Sequence, residues 1–358
     1  RLGALRRLER TEQALRKNPA KAASYNETIS SYISDGHARK LSDAEVAERN
    51  NKRWLLPHHA VSNPNKPGKI RVVFDAAAEF RGVSLNQQLL TGPDLLQELP
   101  GILIRFREKP IAIAGDIEQM FLQVLIQSQD RPALSFLWRN MESNRPPDTY
   151  EMTKAIFGAK CSPAIASYAL QQTMEGCSRA EPWDSKELAR QFYMDDYVAS
   201  EESPESARHL LHTVTRLAAS GGFRLRKWTS NSRTVISSVH PTERAHPDWD
   251  PALPLPSERV LGLMWDTEAD TISVQPPPAS QQAPVTKRQV LSAIASTFDP
   301  LGLVAPFTLL AKLLMQDLWR QQISWDTVLT EDDQRRWRLW QESTARLAEL
   351  QIPRCYKS

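Results

Sequence analysis

One short segment near the middle of the chain, residues 191–199, strongly limits the fold. It reads Gln-Phe-Tyr-Met-Asp-Asp-Tyr-Val-Ala, so aromatic and β-branched residues flank two adjacent acids. This pattern predicts two short strands joined by a tight turn that presents Asp195 and Asp196. Taken alone, the pair fits an exposed hairpin turn equally well, because Asp is common in turns.

A second candidate strand also ends in an acid. Residues 111–114 (Ile-Ala-Ile-Ala) form a short apolar run that leads directly through Gly115 into Asp116. Carboxylates that lie close together raise one another's pKa unless a cation neutralises them. Mg²⁺ prefers such hard oxygen ligands, and two ions can support an in-line phosphoryl transfer. The three Asp therefore predict a two-metal site, whereas Asp116 alone also fits a helix cap or a surface turn.

The rest of the chain predicts a mixed α/β (α+β) protein of two or three domains, because 358 residues exceed the usual single core. We expect helices over residues 1–50, two strands at 53–56 and 69–74, a mixed middle, and a helical tail from 286 to 350. No apolar run reaches the ~20 residues of a membrane span, so no membrane partner is expected. The three cysteines are too few for a disulfide scaffold or a zinc cage. Without an initiator Met or a signal peptide, the chain is expected to be a piece of a longer protein.

Charge is distributed unevenly. Residues 52–74 carry five Arg or Lys and two His and no acid, although the whole chain has a net charge of only +3. A local basic stripe of this kind is typical of phosphate binding, and a solvated loop with incidental lysines explains it as well.

The motif order resembles that of reverse transcriptases. Residues 193–196 (Tyr-Met-Asp-Asp) look like the catalytic hairpin, and residues 116–121 (Asp-Ile-Glu-Gln-Met-Phe) look like the first metal-binding motif. Residues 286–291 with 298–303 are similar to one branch, the Pol polyprotein of BEL/Pao long-terminal-repeat retrotransposons. The resemblance runs from about residue 52 to the end of the chain. The remaining motifs that carry it are 157–163 (Phe-Gly-Ala-Lys-Cys-Ser-Pro), 221–228 and 260–263.

This resemblance implies a right-hand polymerase with an antiparallel palm sheet and helices behind it. It assigns residues 1–50 to a helical lead-in and residues 271–358 to the thumb and the start of the connection. The fingers would be 51–91 and 123–160, and the palm 92–122 and 161–270. The implied activity is that of an RNA-directed DNA polymerase, a nucleotidyltransferase that adds dNTPs to a primer on an RNA or DNA template. The implied location is a cytoplasmic virus-like particle.

The resemblance also implies the site residues. Asp116, Asp195 and Asp196 would be catalytic and bind two Mg²⁺ ions, or Mn²⁺ in their place, with the Ile117 carbonyl as an added ligand. Phe121 would be the gate that blocks a ribose 2′-hydroxyl, and a core phenylalanine is the alternative. The nucleotide-binding residues would be Lys69, Arg71, Phe121, Phe157, Gly158 and Lys227. Phe157 stands where many retroviral enzymes carry glutamine, Lys227 resembles the lysine that protonates pyrophosphate, and Gly262 would lie in the primer grip.

Other functions stay open on the sequence alone. An RNA-copying viral polymerase shares the paired aspartates but lacks a bulky residue at the position of Phe121. An inactive or domesticated retroelement fragment would act only as a nucleic-acid-binding module. We expect no protease, because no Asp-Thr-Gly or Asp-Ser-Gly loop occurs, and no ribonuclease H or integrase segment before residue 358. Lys287 and Arg288 fit either a phosphate grip or a solvated helix face.

Overall fold

The computed structural model describes residues 2–48, 53–62, 70–177, 184–277 and 285–357. None of the helices in these ranges is both long enough and apolar enough to cross a bilayer. The α-helices, α1 to α13 in chain order, are Leu2–Arg16, Pro19–Ser34, Asp43–Glu48, Leu85–Gln88, Leu99–Phe106, Met120–Gln123, Ser162–Cys177, Ser185–Ala189, Pro204–Ser220, Arg233–Ser237, Lys287–Ser296, Ala305–Arg320 and Glu331–Thr344. The strands, β1 to β13, are Ala38–Lys40, His58–Ser62, Ile70–Phe74, Ile111–Ile117, Ser135–Trp138, Asp148–Met152, Phe192–Tyr193, Asp196–Glu201, Leu225–Ser230, Glu258–Val260, Leu263–Asp266, Thr271–Ser273 and Ile352–Pro353.

The chain divides into two compact units. The first unit comprises Arg1–Leu96, Glu118–Ala180 and Ala218–Phe223. The second unit comprises Gln97–Ile117, Glu181–Leu217 and Arg224–Ser358. The predicted assignment of fingers, palm and thumb to particular residues stays a prediction.

The first unit is built around two small antiparallel sheets. One has the strand order β1-β6-β5, and the other is the hairpin of β2 and β3. Helices α1 and α2 pack their apolar side chains, among them Leu8, Tyr25 and Ile29, into the same core as Phe74 and Trp138. Burial of these large side chains is the main favourable term for this part of the fold.

The second unit contains two four-stranded antiparallel sheets. The first has the order β7-β8-β4-β9 and the second the order β10-β11-β12-β13. They share one core, in which Phe106 meets Trp265 edge to face with ring centroids 5.1 Å apart. A separate cluster lies between the C-terminal helices α11, α12 and α13, where Trp337 and Trp340 stack at 4.8 Å. The predicted antiparallel palm-type sheet with helices is therefore present.

Several local predictions are confirmed, and others are wrong. The helices expected within residues 1–50 form, and α3 begins with a capping box in which Ser42 N–H donates to the Glu45 carboxylate at 2.9 Å and Glu45 N–H donates back to the Ser42 hydroxyl at 3.3 Å. The hairpin at 193–196 forms as expected. The first strand of the basic hairpin is His58–Ser62 rather than 53–56, since Leu56 N–H instead donates to Ser135 in another sheet at 2.7 Å. The lead-in also contains β1, which the helical reading of 1–50 missed.

Candidate active site

Strand pairing brings the three predicted aspartates together at one edge of the palm-type sheet, namely the edge at which β4 ends and β8 begins. Strands β4 and β8 are antiparallel neighbours, and Asp116 lies directly opposite Asp196 in their register. The turn between β7 and β8 is tied to the same strand, because Ile117 N–H donates to the Asp195 carbonyl at 2.7 Å. Met194 completes the turn with φ of 53°, a left-handed conformation that costs about 1 kcal/mol or more in a non-glycine residue.

A β-bulge aims Lys227 at this edge. The register between β4 and β9 shifts between Ala114 and Asp116, and Lys227 has φ of 54° at that point. Bulges re-aim side chains in this way. Gly115 makes the shift feasible, since a Cβ there would lie 2.9 Å from the buried Trp228 ring, inside contact distance. The Lys227 ammonium consequently forms an ion pair with the Asp116 carboxylate.

The electrostatics of the cluster depend on cations. Burial, together with the negative charges of Asp195 and Asp116, raises the pKa of Asp196 to about 7, although Lys227 acts to lower it. Asp195 is exposed and Asp116 is half-buried. Like charges therefore crowd this edge, and a full set of ionised carboxylates requires more positive charge than a single lysine supplies.

The donor chemistry fits divalent metal ions. The three carboxylates and the Ile117 carbonyl are hard oxygen donors, and the pKa of Asp196 is raised by burial and, after that, by the negative charges of Asp195 and Asp116. Their side chains are not arranged as a ready metal cage: within the described ranges, no group of three or more His, Cys, Asp or Glu side chains has that arrangement. The ion pair with Lys227 holds the Asp116 carboxylate in another contact, which gives the physical reason.

The predicted nucleotide-binding residues that the structure describes lie mainly in the first unit. Phe121 and Phe157 are half-buried and contact each other, with ring centroids 4.8 Å apart and planes tilted by 53°. Arg71 is exposed on β3, opposite Val61. Lys69 lies outside the described residues. Phe121 is thus packed against a second aromatic side chain, as a fixed steric gate requires.

Gly158 has a structural reason to be glycine. Its φ is +117°, and a Cβ there would lie 1.8 Å from the Phe74 carbonyl oxygen. Sequence reasoning missed Asn86, whose side-chain amide donates to the Gly158 carbonyl at 3.1 Å and whose Oδ1 accepts from Lys160 N–H at 2.9 Å. Asn86 precedes the matched loop by more than seventy residues, so only an observed contact could have identified it. Together these contacts fix the loop that carries Phe157.

Two of the quoted motifs contact each other in the second unit. Gly262 lies in the turn between β10 and β11 with φ of +88°, and an added Cβ would meet the Phe298 ring at 2.3 Å. Asp299 then organises the start of α12, because its two carboxylate oxygens accept from Leu303 and Val304 N–H, each at 2.8 Å. Gly262 and its positive-φ neighbour Leu261 form the turn of a hairpin, so β10 and β11 are two antiparallel strands rather than one continuous strand.

Lys287 matches neither of the roles considered for it, whereas Arg288 lies on an exposed helix face. Lys287 is only 2% exposed, and its ammonium lies 3.6 Å from the centroid of the Trp319 ring and donates to the Ile323 carbonyl at 3.2 Å. Arg288 pairs with Asp326 at 2.8 Å. Lys287 is therefore an internal cation–π contact of the helical tail rather than a solvated or phosphate-binding residue.

Comparison with protein-family models agrees with this geometry. Residues 70–229 match the model described as reverse transcriptase (RNA-dependent DNA polymerase), and residues 286–358 match the Pao retrotransposon-like RNaseH-like domain. The chain carries a Pao/BEL-type reverse transcriptase region. Reverse transcriptase domains generally use divalent metal ions. No curated protein matches the chain.

Solved structures support the fold of this Pao-type region. It resembles a foamy viral protease-reverse transcriptase dRH in complex with ds DNA, with a TM-score of 0.57 and 13% identity. A foamy viral protease-reverse transcriptase in complex with RNA/DNA hybrid gives a TM-score of 0.56 and 14% identity. The alignments cover 90% of this chain but only 47% and 36% of those chains. At this identity the likeness shows the fold alone, which is the predicted polymerase fold.

The name of the family model that matches residues 286–358 differs from the sequence-based expectation. We expected no ribonuclease H segment before residue 358, whereas the matched model is named RNaseH-like. In the described residues 285–357 of the Pao-type region, three α-helices are followed by the two-residue strand β13, which pairs with β12 of the second unit. The C-terminal segment therefore adds the fourth strand to a sheet whose other three strands, β10, β11 and β12, lie before residue 286.

Proposed function

We propose that this Pao-type region is an RNA-directed DNA polymerase that adds dNTPs to a primer 3′-hydroxyl. The observation that carries the proposal is the register of β4 against β8, which sets Asp116 opposite Asp196 beside the turn that presents Asp195. Rigid strand pairing suits this chemistry, because the groups around a transferring phosphoryl group must keep their positions as charge develops.

The metal-holding residues in this proposal are Asp116, Asp195 and Asp196, together with the Ile117 carbonyl. Bound divalent ions would supply charge neutralisation for the attacking and leaving oxygens. Lys227 is the one ammonium in this described cluster, and its bulge directs it toward the carboxylate edge. We assign it as the donor of a proton to pyrophosphate, a role for which a flexible lysine stem is suited.

The nucleotide-side residues of the proposal are Arg71, Phe121, Phe157 and Gly158. A guanidinium can hold phosphate oxygens through two hydrogen bonds, and Arg71 is free to do so on the exposed face of β3. Phe121 is braced by Phe157, so a ribose 2′-hydroxyl that approached the ring would meet a side chain with little room to move. Selection of deoxynucleotides would then follow from shape.

Primer extension tests the polymerase proposal. The wild-type chain should extend a DNA primer on an RNA template with dNTPs when Mg²⁺ is present, and should stop when the metal is chelated. Asp195→Asn should reduce extension by at least about a hundredfold, because the transition state loses a charge-neutralising ligand. Asp248→Asn, an exposed carboxylate of the same unit, should retain the wild-type rate. Equal rates for both variants would exclude the assigned site.

The gate is tested separately. Phe121→Ala should raise incorporation of rNTPs relative to dNTPs, while Phe121→Tyr should retain discrimination because it keeps the ring. Unchanged exclusion of rNTPs by Phe121→Ala would count against the gate assignment and favour a core phenylalanine.

The non-catalytic alternative has one observation in its favour. Lys227 pairs with Asp116, and the described residues contain no ready metal cluster. A binding module of a decayed element would bind a primer–template with the same affinity in the wild type and in Asp195→Asn, and neither would extend it in Mg²⁺ or Mn²⁺. Extension by the wild type alone decides for the enzyme.

A further inference from the structure

The N-terminal segment that includes the first helix carries a net positive charge larger than that of the whole chain. Residues 1–22 contain seven Arg or Lys and two Glu, a net of +5, whereas the entire chain has a net of +3. The remaining residues are therefore net negative together. This segment also precedes residues 70–229, which match the reverse transcriptase model, so the family comparison assigns it no role.

Three exposed cations share one side of α1 and of the residue that follows it. Arg6 and Arg10 of α1, and Lys17 directly after its last residue, keep helical spacing on one stripe. The opposite face is buried through Leu8 and Leu15. Within the described part of the chain, the three cations of this stripe form no ion pair. We call Arg6, Arg10 and Lys17 the α1 stripe.

The two acids of α1 do not neutralise the stripe. Glu12 is 1% exposed and points inward, where Arg139 holds it through two hydrogen bonds of 2.8 and 2.7 Å. Glu9 is exposed and offsets at most one of the three positive charges of the stripe. The interior thus pairs its own charges, and the positive potential of α1 is left facing solvent, where it attracts polyanions.

Helix α1 is anchored to the elements that carry the nucleotide-side residues. Thr11 donates its hydroxyl hydrogen bond to the His58 carbonyl of β2 at 3.2 Å, and Arg7 donates to the Glu79 carbonyl at 3.2 Å. β2 pairs with β3, which carries Arg71. The stripe therefore belongs to the same unit as the proposed nucleotide-side residues Arg71, Phe121 and Phe157. Under the proposed function, the template strand that has not yet been copied must pass the incoming nucleotide, because its next base pairs with it.

We propose that the α1 stripe binds the phosphate backbone of the single-stranded RNA template ahead of the primer. The proposal rests on the proposed function for the identity of the strand, and on charge complementarity for the contact. Arg and Lys on one helix face suit successive phosphates without reading bases. Template capture would thereby extend beyond residues 70–229.

The test measures binding without catalysis. Fluorescence anisotropy with a labelled single-stranded RNA of 20 nucleotides compares the full chain with a triple variant, Arg6→Gln, Arg10→Gln and Lys17→Gln. Loss of three phosphate contacts should weaken binding about tenfold at low salt and reduce the slope of log K against log salt by about 2. A charge-conserving variant, Arg6→Lys with Arg10→Lys, should bind like the wild type. Thermal melting checks that each variant folds.

Two further measurements show whether RNA binding depends on the α1 stripe itself and on a single-stranded template. A control triple variant, Lys186→Gln, Arg208→Gln and Lys312→Gln, removes the same charge from three other helices and should change RNA affinity by less than about threefold. On a blunt RNA/DNA duplex, which has no overhang, the stripe variant should bind like the wild type. Equal loss in both triple variants, or equal loss on the blunt duplex, would overturn the proposal.

Failure of the two proposals can be told apart. If the wild type fails to extend any primer, the polymerase proposal fails, and the anisotropy result still decides whether the stripe binds RNA. If the wild type extends primers while the stripe variant binds overhanging RNA as tightly as the wild type, only the stripe proposal fails.

Discussion

Arg354 allows a test of whether the C-terminal segment, residues 286–358, stabilises the second unit. It is 0% exposed, although it lies only four residues from the end of the chain. Its guanidinium binds both carboxylate oxygens of Asp270, at 2.7 and 2.9 Å. It also donates to the carbonyl of Phe106, the last residue of α5, and to the carbonyls of Lys109 and Pro110 in the segment that follows. A cation at a helix C-terminus satisfies carbonyls that have no partner within the helix.

We expect Arg354→Met to destabilise the second unit strongly. The methionine would remove the cation that pairs with Asp270, whose carboxylate would keep only the Trp265 indole N–H, and would take this donor from the Phe106 and Lys109 carbonyls. The Pro110 carbonyl would keep the side-chain amide of Asn231. Breaking a buried pair from one side costs about 3–5 kcal/mol. Asp270 is 25% exposed, so water can replace part of the lost interaction, and the lower limit of about 3 kcal/mol applies. For a unit of this size, that lowers the melting temperature by about 10 °C.

Calorimetry of the full chain measures this effect. Arg346→Met removes an exposed arginine from the neighbouring 3-10 helix and should melt within about 2 °C of the wild type, as surface substitutions do. The double variant Arg354→Met with Asp270→Asn should recover part of the loss, because the carboxylate no longer lacks a partner. If Arg354→Met melts like Arg346→Met, the C-terminal segment does not depend on the second unit and the reasoning is wrong.

Three other perturbations test the site and its supports. Gly158→Ala should reduce the dNTP extension rate at least about tenfold, measured by primer extension, because its Cβ would clash with the Phe74 carbonyl; a wild-type rate would contradict the assigned loop. Burial lowers the pKa of His58 to about 4, so the unfolded state binds a proton that the folded state does not, and about 3 kcal/mol of stability should be lost as the pH falls from about 6.5 to 4. Urea unfolding should show a smaller loss in His58→Gln, and an equal loss would contradict this assignment. Lys227→Met should gain more melting temperature on Mg²⁺ addition than the wild type, by about 2–4 °C, because Asp116 loses its competing cation; equal gains would refute the competition.

The sequence predicted those parts of the site whose secondary structure depends mainly on neighbouring residues. Asp195 and Asp196 lie in a hairpin because aromatic and β-branched residues on both sides favour short strands. Asp116 follows an apolar strand, and the structure extends that strand through it to Ile117. Their convergence came from the family resemblance, because antiparallel pairing between residues eighty positions apart leaves no signal in either segment alone.

Contacts between distant segments escaped prediction for the same reason. The two hydrogen bonds of Asn86, the burial of Lys287 under Trp319 and the docking of Arg354 each join segments whose own patterns are unremarkable. The basic composition around Lys287 predicted exposure, yet a lysine can be buried when an aromatic face and a carbonyl receive its ammonium. Burial of charge is decided by such partners, and periodicity alone does not reveal them.

The bulge in β9 explains why the carboxylate edge combines rigidity with a movable charge. Backbone pairing fixes Asp116 opposite Asp196, and those hydrogen bonds do not depend on which cation is nearby. Lys227 by contrast is attached by a flexible stem at an exposed position, so its ammonium can leave Asp116 without disturbing the strands. A divalent ion carries twice the charge of an ammonium and binds several oxygens at once, and therefore competes well for the same carboxylate. Under the proposed function, displacement of Lys227 from Asp116 during metal binding would also allow its ammonium to reach the leaving pyrophosphate. The bulge opposite Gly115 would therefore serve both metal binding and proton donation.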